Sequence, residues 1–258
     1  MEIPVYELDG VSAYFVNPLL PHLGYLKEFE LIRMGSGILL RYGKRGHYDR
    51  LEPFARRDKL AAVYADSEKM GQRLHCPTVA ALNQFIKRGN SREIILACEA
   101  QHEKKIAQIA DAIASEERGV RLVLIAGPSS SGKTTFSQRL AVQLRVNGMR
   151  PIPISMDNYF KERKDTPRLP DGSYDFESLG ALDTDLFNEQ LHELLQGKTV
   201  TIPHFSFHTG TRSYRDQKEQ LGDDGVLIVE GIHGLNEAVS SSVPRREKMK
   251  IYISALTP

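Results

Sequence analysis

Apolar and polar positions along this chain follow two rhythms. Over residues 1 to about 90 the apolar runs are short and broken by turn residues: Tyr14-Phe15-Val16 before Asn17-Pro18, Phe29 to Met34 before Gly35-Ser36-Gly37, then Ile38-Leu39-Leu40. That rhythm predicts a small, strand-rich region. From Ser91 to Glu117 the residues Ile94, Ile95, Ala97, Ala100, Ile106, Ile109, Ala110 and Ile113 fall mostly three, four or seven apart. This predicts one long helix with a single buried stripe and Ser91 as its N-cap. The polar stretch Ser115 to Gly119 follows, and it sets the expected boundary between an N-terminal domain, 1–118, and a second domain, 119–258.

The second half alternates strand and helix patterns. Arg121–Ala126 (RLVLIA) suits a strand buried on both faces, and Thr134–Asn147 has helical spacing through Phe136, Leu140, Val142 and Leu144. Pro151–Met156 reads as a strand. Asp183–Gln196 reads as a helix on Leu186, Phe187, Leu191, Leu194 and Leu195, with Gly197 in the usual C-terminal stop position. Val226–Glu230 and Met249–Ser254 supply two more apolar strands. Strand, helix and strand in repeated order predict an α/β fold with a mainly parallel sheet flanked by helices, preceded by a smaller α+β domain.

Composition narrows the partners. The 258 residues carry 34 Lys+Arg against 33 Asp+Glu, a balance that argues against nucleic acid as a partner and leaves homo-oligomerisation open. Cys76 and Cys98 lie in unrelated contexts, so neither a disulfide framework nor a zinc site is indicated, and both read as buried or half-buried thiols. No segment approaches the roughly 20 apolar residues that span a bilayer, and the N-terminus lacks a basic flank before an apolar run. A cytoplasmic location with no membrane partner is the expectation. The basic stretch Arg41–Arg57 reads as a solvated loop, and His102-Glu103 has Ile106 where a second zinc ligand would stand, so His102 is assigned to packing or surface.

The chemistry concentrates at Gly127-Pro-Ser129-Ser130-Ser131-Gly132-Lys133-Thr134, which matches G-x-x-x-x-G-K-[ST] between a predicted strand and a predicted helix. This is a P-loop, and it makes the second domain a P-loop NTPase-type sheet. Its glycines permit the tight turn that aims successive N–H groups, through Thr135, and the positive end of the helix at phosphates. Lys133 is expected to reach the β- and γ-phosphates of ATP, and the Thr134 hydroxyl to complete the shell of Mg²⁺. Asp157 follows the strand PIPISM, where a carboxylate can take a proton from an acceptor hydroxyl; a turn or capping acid is the alternative. Glu230 ends the strand GVLIV before Gly231, as a residue that orients Mg²⁺ or its waters would. The Rossmann fingerprint G-x-G-x-x-G does not occur at this loop.

GPSSSGKTTF, SMDNYF, YDFESLGALD, VTIPHFSF and VLIVEGIHGLN occur in the order and approximate spacing of the uridine kinase and phosphoribulokinase superfamily, over roughly residues 120–258. The whole chain resembles one subgroup more closely. These are bacterial nucleoside kinases whose kinase domain follows a region similar to the TGS and editing-like domains of threonyl-tRNA synthetase. YFVNPLLPHLGYLKEFEL, TVAALNQFI and CEAQHEKKIAQIADAI carry that part of the likeness. The resemblance implies ATP- and Mg²⁺-dependent phosphorylation of a small-molecule acceptor, a nucleoside, with a sugar phosphate or a nucleotide-dependent regulatory role as alternatives. It implies that Asp157 is the catalytic base, that Phe160 and Phe205 lie against the acceptor, that Glu177 binds ribose hydroxyls, and that Arg212 joins them. The family's pyrimidine-reading His falls on Gly210, and Phe160 stands where Tyr is usual, with His208 and His233 as nearby replacements. The resemblance further implies an Arg-bearing lid after a strand like KIYISA, so the chain is expected to be a fragment whose phosphate site is present without that lid.

Overall fold

The computed structural model describes residues 5–254 apart from 16–18, 20, 21, 36, 45, 48 and 116–118, and for 215–217 the backbone alone. The expected turn at Asn17-Pro18, Ser36, and the 116–118 part of the expected domain boundary lie outside the described residues. Two compact units are present, Met1–Thr78 and Val79–Thr257.

In the first unit, β1 (Val5–Leu8) and β2 (Val11–Tyr14) form an antiparallel hairpin, and β3 (Phe29–Met34) pairs with β4 (Gly37–Tyr42) in a second. The turn of the first hairpin uses Asp9 and Gly10, both at positive φ, the conformation that matches the strands' twist. The sequence pattern predicts only strands here, but the structure adds the helix α1 (Asp58–Arg73). No residue of α1 is buried.

The second unit begins with α2 (Val79–Lys87), also outside the strand-rich expectation, and α3 (Ser91–Ala114). Asn90, not Ser91, occupies the N-cap position. Then follow β5 (Leu122–Ala126), α4 (Lys133–Val146), β6 (Arg150–Ser155), α5 (Thr184–Leu195), β7 (Thr199–Ser206), β8 (Thr211–Gln220), β9 (Gly225–Glu230) and β10 (Lys248–Tyr252). Strands β10, β5, β9 and β6 form, in that order, one parallel sheet. The antiparallel hairpin of β7 and β8 has no counterpart in the sequence reading.

Alternation along β5 and β9 divides the core in two. Leu122, Leu124, Leu227 and Val229 face a cluster with Phe187, Leu191 and Leu194 of α5 and Val200, Ile202 and Phe205 of β7. Val123, Ile125, Val226 and Ile228 face the other, built on Ile106, Ala110 and Ile113 of α3 and Phe136, Leu140 and Leu144 of α4. Burying the four large residues of β5 is worth about 8 kcal/mol in transfer free energy, which makes that strand a firm base for the loop it feeds. The compact division falls earlier than the expected boundary at 118/119 because the C-terminal half of α3 is part of this second core. The N-terminal half is more thinly covered: Ile95 is more than half exposed and Ile94 and Ala97 are half-buried, so the expected stripe is fully buried only from Ile106 onward. Cys98 lies on that stretch and is exposed, correcting its expected burial, whereas Cys76 is half-buried. His102 stacks on Phe136, and Glu103 accepts from Arg139 and Gln143, so this pair ties α3 to α4. Asp183 caps α5 by accepting from the Leu186 N–H, and Gly197 at φ +76° ends it as the pattern predicts.

Candidate active site

Parallel pairing puts the carboxyl ends of β5, β9 and β6 side by side. In the register of the sheet Glu230 stands opposite Ile125 on one side and Ser155 on the other. The loop that starts at Gly127 and the turn that carries Asp157 therefore leave the sheet beside the same glutamate. This is the edge where open parallel sheets collect ligands.

The loop is held in a conformation that few residues adopt. Ser130 has φ +59° and Gly132 φ +87°, and Gly132 is the N-cap of α4, so the helix's first N–H groups open toward the loop. Ser129, Ser130, Thr134 and Thr135 are exposed there. The Lys133 ammonium folds back and donates to the carbonyls of Gly127 (3.0 Å) and Pro128 (2.9 Å). Ser131 Oγ is buried with no partner among the described residues, an orphan donor that a phosphate oxygen would satisfy. Gly127 is fixed by packing. A Cβ built on it would lie 2.2 Å from the Ile253 carbonyl oxygen and 2.7 Å from Ser131 Oγ. Gly127→Ala is accordingly expected to lower the unfolding free energy by about 3 kcal/mol in urea titration, the scale of an overpacked backbone contact. An unchanged midpoint would show that the loop and the end of β10 separate freely.

Glu230 and Thr134 meet directly: the Thr134 hydroxyl donates to Glu230 Oε1 at 3.2 Å. Two hard oxygen donors at that separation fit Mg²⁺, which takes few protein ligands and keeps waters and substrate phosphates for the rest. Asp157 is carried on a short 3-10 turn, Met156–Tyr159, whose N-cap Ser155 accepts from the Asp157 N–H at 3.4 Å. The turn is anchored by Tyr159, which is buried and donates to Gln190 Oε1 of α5 at 2.9 Å. Burial raises the Tyr159 pKa, and Tyr214 adds to it. Asp157 is exposed as a residue, yet protein atoms crowd its carboxyl. That desolvation, with the repulsion of Glu230, holds its pKa above the usual carboxylate value, and Lys133 opposes the shift.

The four residues Lys133, Thr134, Asp157 and Glu230 are thus brought together. Phe160 and Phe205 are 3% and 5% exposed and interlock with each other and with Phe207. Phe176 and Phe207, which sequence reasoning passed over, complete this aromatic cluster, and Phe207 remains half exposed. Their signal is the spacing of FSF and YDF around the residues already singled out. Glu177 is exposed, its N–H bound to Asp175 Oδ1. Arg212 donates both terminal nitrogens to Asp183 Oδ2 at 2.9 Å, a half-buried ion pair that ties β8 to the cap of α5. A side chain at Gly210 would collide with Arg163, whose Nη2 donates to the Phe207 carbonyl.

The family match falls within the second unit. Residues 122–257 match the Phosphoribulokinase / Uridine kinase family. A uridine kinase of Mycoplasma genitalium is 33% identical over 138 residues, which is 54% of this chain and 62% of that protein. The inorganic pyrophosphatase TTM2 of Arabidopsis thaliana is 35% identical over 127 residues, 48% of this chain and 17% of that protein. Both matches thus leave more than a third of the relative's length unspanned. A solved structure described as a possible uridine kinase from Bacillus stearothermophilus overlays 60% of this chain and 80% of its own with 26% identity and a TM-score of 0.48. With the family match covering more than half of its residues, the chain belongs to the phosphoribulokinase / uridine kinase family.

Proposed function

We propose that the chain transfers the γ-phosphoryl group of ATP, with Mg²⁺, to a hydroxyl of a nucleoside. The observation that carries this reading is the convergence of Lys133, the Thr134–Glu230 pair and Asp157 at one edge of the sheet. Loop amides and Lys133 stabilise the charge that develops on the phosphates, and Asp157 takes up or orients the acceptor proton. Mg²⁺, held by Thr134 and Glu230, would neutralise charge on the β- and γ-oxygens. On the acceptor side Phe160 and Phe205 form the floor of an aromatic wall that Phe207 presents to solvent, and Glu177 accepts from vicinal ribose hydroxyls. Arg212 holds the hairpin through Asp183 and borders the acceptor. Such chemistry belongs where ATP is abundant, in the cytoplasm.

A sugar-phosphate acceptor would need cations for its phosphate; Lys161 beside Lys164 and Arg212 makes no side-chain hydrogen bond or ion pair among the described residues, whereas the others have protein partners. Arg163 binds the Phe207 carbonyl, Lys164 pairs with Glu162, Arg168 donates to Gly172 and Tyr174, and Arg212 pairs with Asp183. The test is transfer of label from γ-labelled ATP across a panel of nucleosides and sugar phosphates, with GTP as a second donor. Acceptor-dependent labelling of nucleosides is the expected result. Label released only as phosphate, or found only on sugar phosphates, would overturn the reading.

A further inference from the structure

After Glu230 the chain does not leave the site but runs as a strap, residues 231–240, back over the carboxyl end of β5. Its near end is tied at Gly231, whose N–H donates to the Ile125 carbonyl at 3.0 Å. The middle presses on the same strand end: a Cβ at Gly234 would lie 2.8 Å from the Ile125 oxygen and 3.4 Å from Ala126 Cβ. The far end reaches β10. There the Glu237 carboxylate uses its two oxygens separately, Oε2 accepting from Lys248 at 2.9 Å and Oε1 from Lys250 at 2.6 Å.

The two lysines are built in for this contact. Being two apart on one strand, they share a face of β10, while Met249 and Ile251 between and beyond them pack on the core of the opposite face. Lys248 is 7% exposed, and its ammonium also reaches the Ser240 carbonyl and hydroxyl, so its three donors all find acceptors. Lys250 donates in addition to the Leu235 carbonyl at 3.0 Å. From the other side Asn188 of α5 donates to the Ala238 carbonyl, and Val239 and Ser240 are fully buried. The two lysines hold the Glu237 carboxyl down to a pKa of about 2, so it stays charged through the range in which the protein would work. Glu237 itself is 68% exposed. A surface carboxylate that fixes a nearly buried lysine is an unusual investment for a loop with no role beyond connection.

We infer that Glu237 is a positioning residue for the nucleotide site: with Lys248 and Lys250 it clamps the strap across the end of β5 and so holds Glu230 against Thr134. The inference rests on the reading of that site given above for its function, but not for its geometry. β10 grips the same point from its own side, because the Ile253 N–H donates to the Ala126 carbonyl at 2.7 Å and the Ile253 oxygen abuts Gly127. The clamp thus joins the two segments that flank the root of the phosphate loop.

The test compares the full chain with Glu237→Gln and Lys250→Met, neither of which touches the phosphate loop. In the ligand-free protein, amide exchange at Gly231 and Gly234 is expected to quicken about 10-fold in both variants, with Val226 to Val229 of β9 unchanged. Calorimetric titration with Mg²⁺ and a non-hydrolysable ATP analogue is expected to give a Kd about 5-fold weaker for either variant, and for the double variant a loss well short of the product of the two, since both break the Glu237–Lys250 contact. Exchange and Kd unchanged alongside a lowered melting temperature would overturn the inference, leaving the clamp merely structural. So would exchange that quickens evenly over the whole sheet. Should the wild type bind no nucleotide at all, the proposed function falls, while the exchange at Gly231 still decides whether Glu237 holds the strap.

Discussion

Lys133→Ala is expected to reduce phosphoryl transfer by about 10³-fold, the upper range for removing one donor from a site that stabilises developing charge. The ammonium donates to two carbonyls of its own loop. An arriving phosphate adds the attraction of opposite charges, which a carbonyl lacks, so the side chain exchanges partners when the nucleotide binds. The fold should tolerate the change. The loop loses two hydrogen bonds from a charged donor, each worth about 1.5 kcal/mol, and α4 keeps its buried residues Phe136, Leu140 and Leu144. Far-UV circular dichroism would therefore stay close to wild type and the urea midpoint fall modestly, while affinity for Mg·ATP and turnover collapse. A folded variant that retained both would remove Lys133 from the phosphate site.

Residues acting locally were legible in the sequence, and those acting across the fold were not. The P-loop is a contiguous motif, and the two buried strands β5 and β9 announce themselves as unbroken apolar runs because both their faces are covered. Hairpin β7–β8 gives no such signal: Pro203 and a register shift interrupt one strand, and TRSYRDQKEQ reads as a polar loop. The helix α1, none of whose residues is buried, is likewise absent from the sequence reading. Candidate acids at 157 and 230 are visible as strand-end residues, but their closeness depends on β9 inserting between β5 and β6, which chain order does not disclose. The same holds for Arg212, which lies 29 residues from the Asp183 that binds it. An arginine near an acceptor site invites a ligand role, and only the coordinates reveal the carboxylate already in its grasp.

Asp157→Asn is expected to separate binding from chemistry. Asparagine keeps the size of the side chain but cannot accept a proton, so Mg·ATP should still bind while transfer falls by about 10²-fold or more, the scale of lost general-base assistance. The direction of the pKa shift makes two further outcomes checkable. Because desolvation and Glu230 raise the Asp157 pKa, the acid limb of kcat/KM in the wild type should lie above the ordinary carboxylate range, with activity lost as pH falls through it. Removing the opposing Lys133 charge should move that limb further up, measurable in the residual activity of Lys133→Ala. For stability the sign reverses. A carboxyl whose folded pKa is raised favours folding while protonated, below its unfolded pKa, and that advantage is lost as pH rises through the folded value. At neutral pH the ionised Asp157 therefore weakens the ligand-free fold, so Asp157→Asn should melt at or above the wild-type temperature near pH 7, with the difference shrinking toward pH 4. A variant that lost stability at neutral pH would mean that Asp157 is held by a favourable partner, and its role would be that of a turn acid rather than the base; undiminished transfer would lead to the same conclusion.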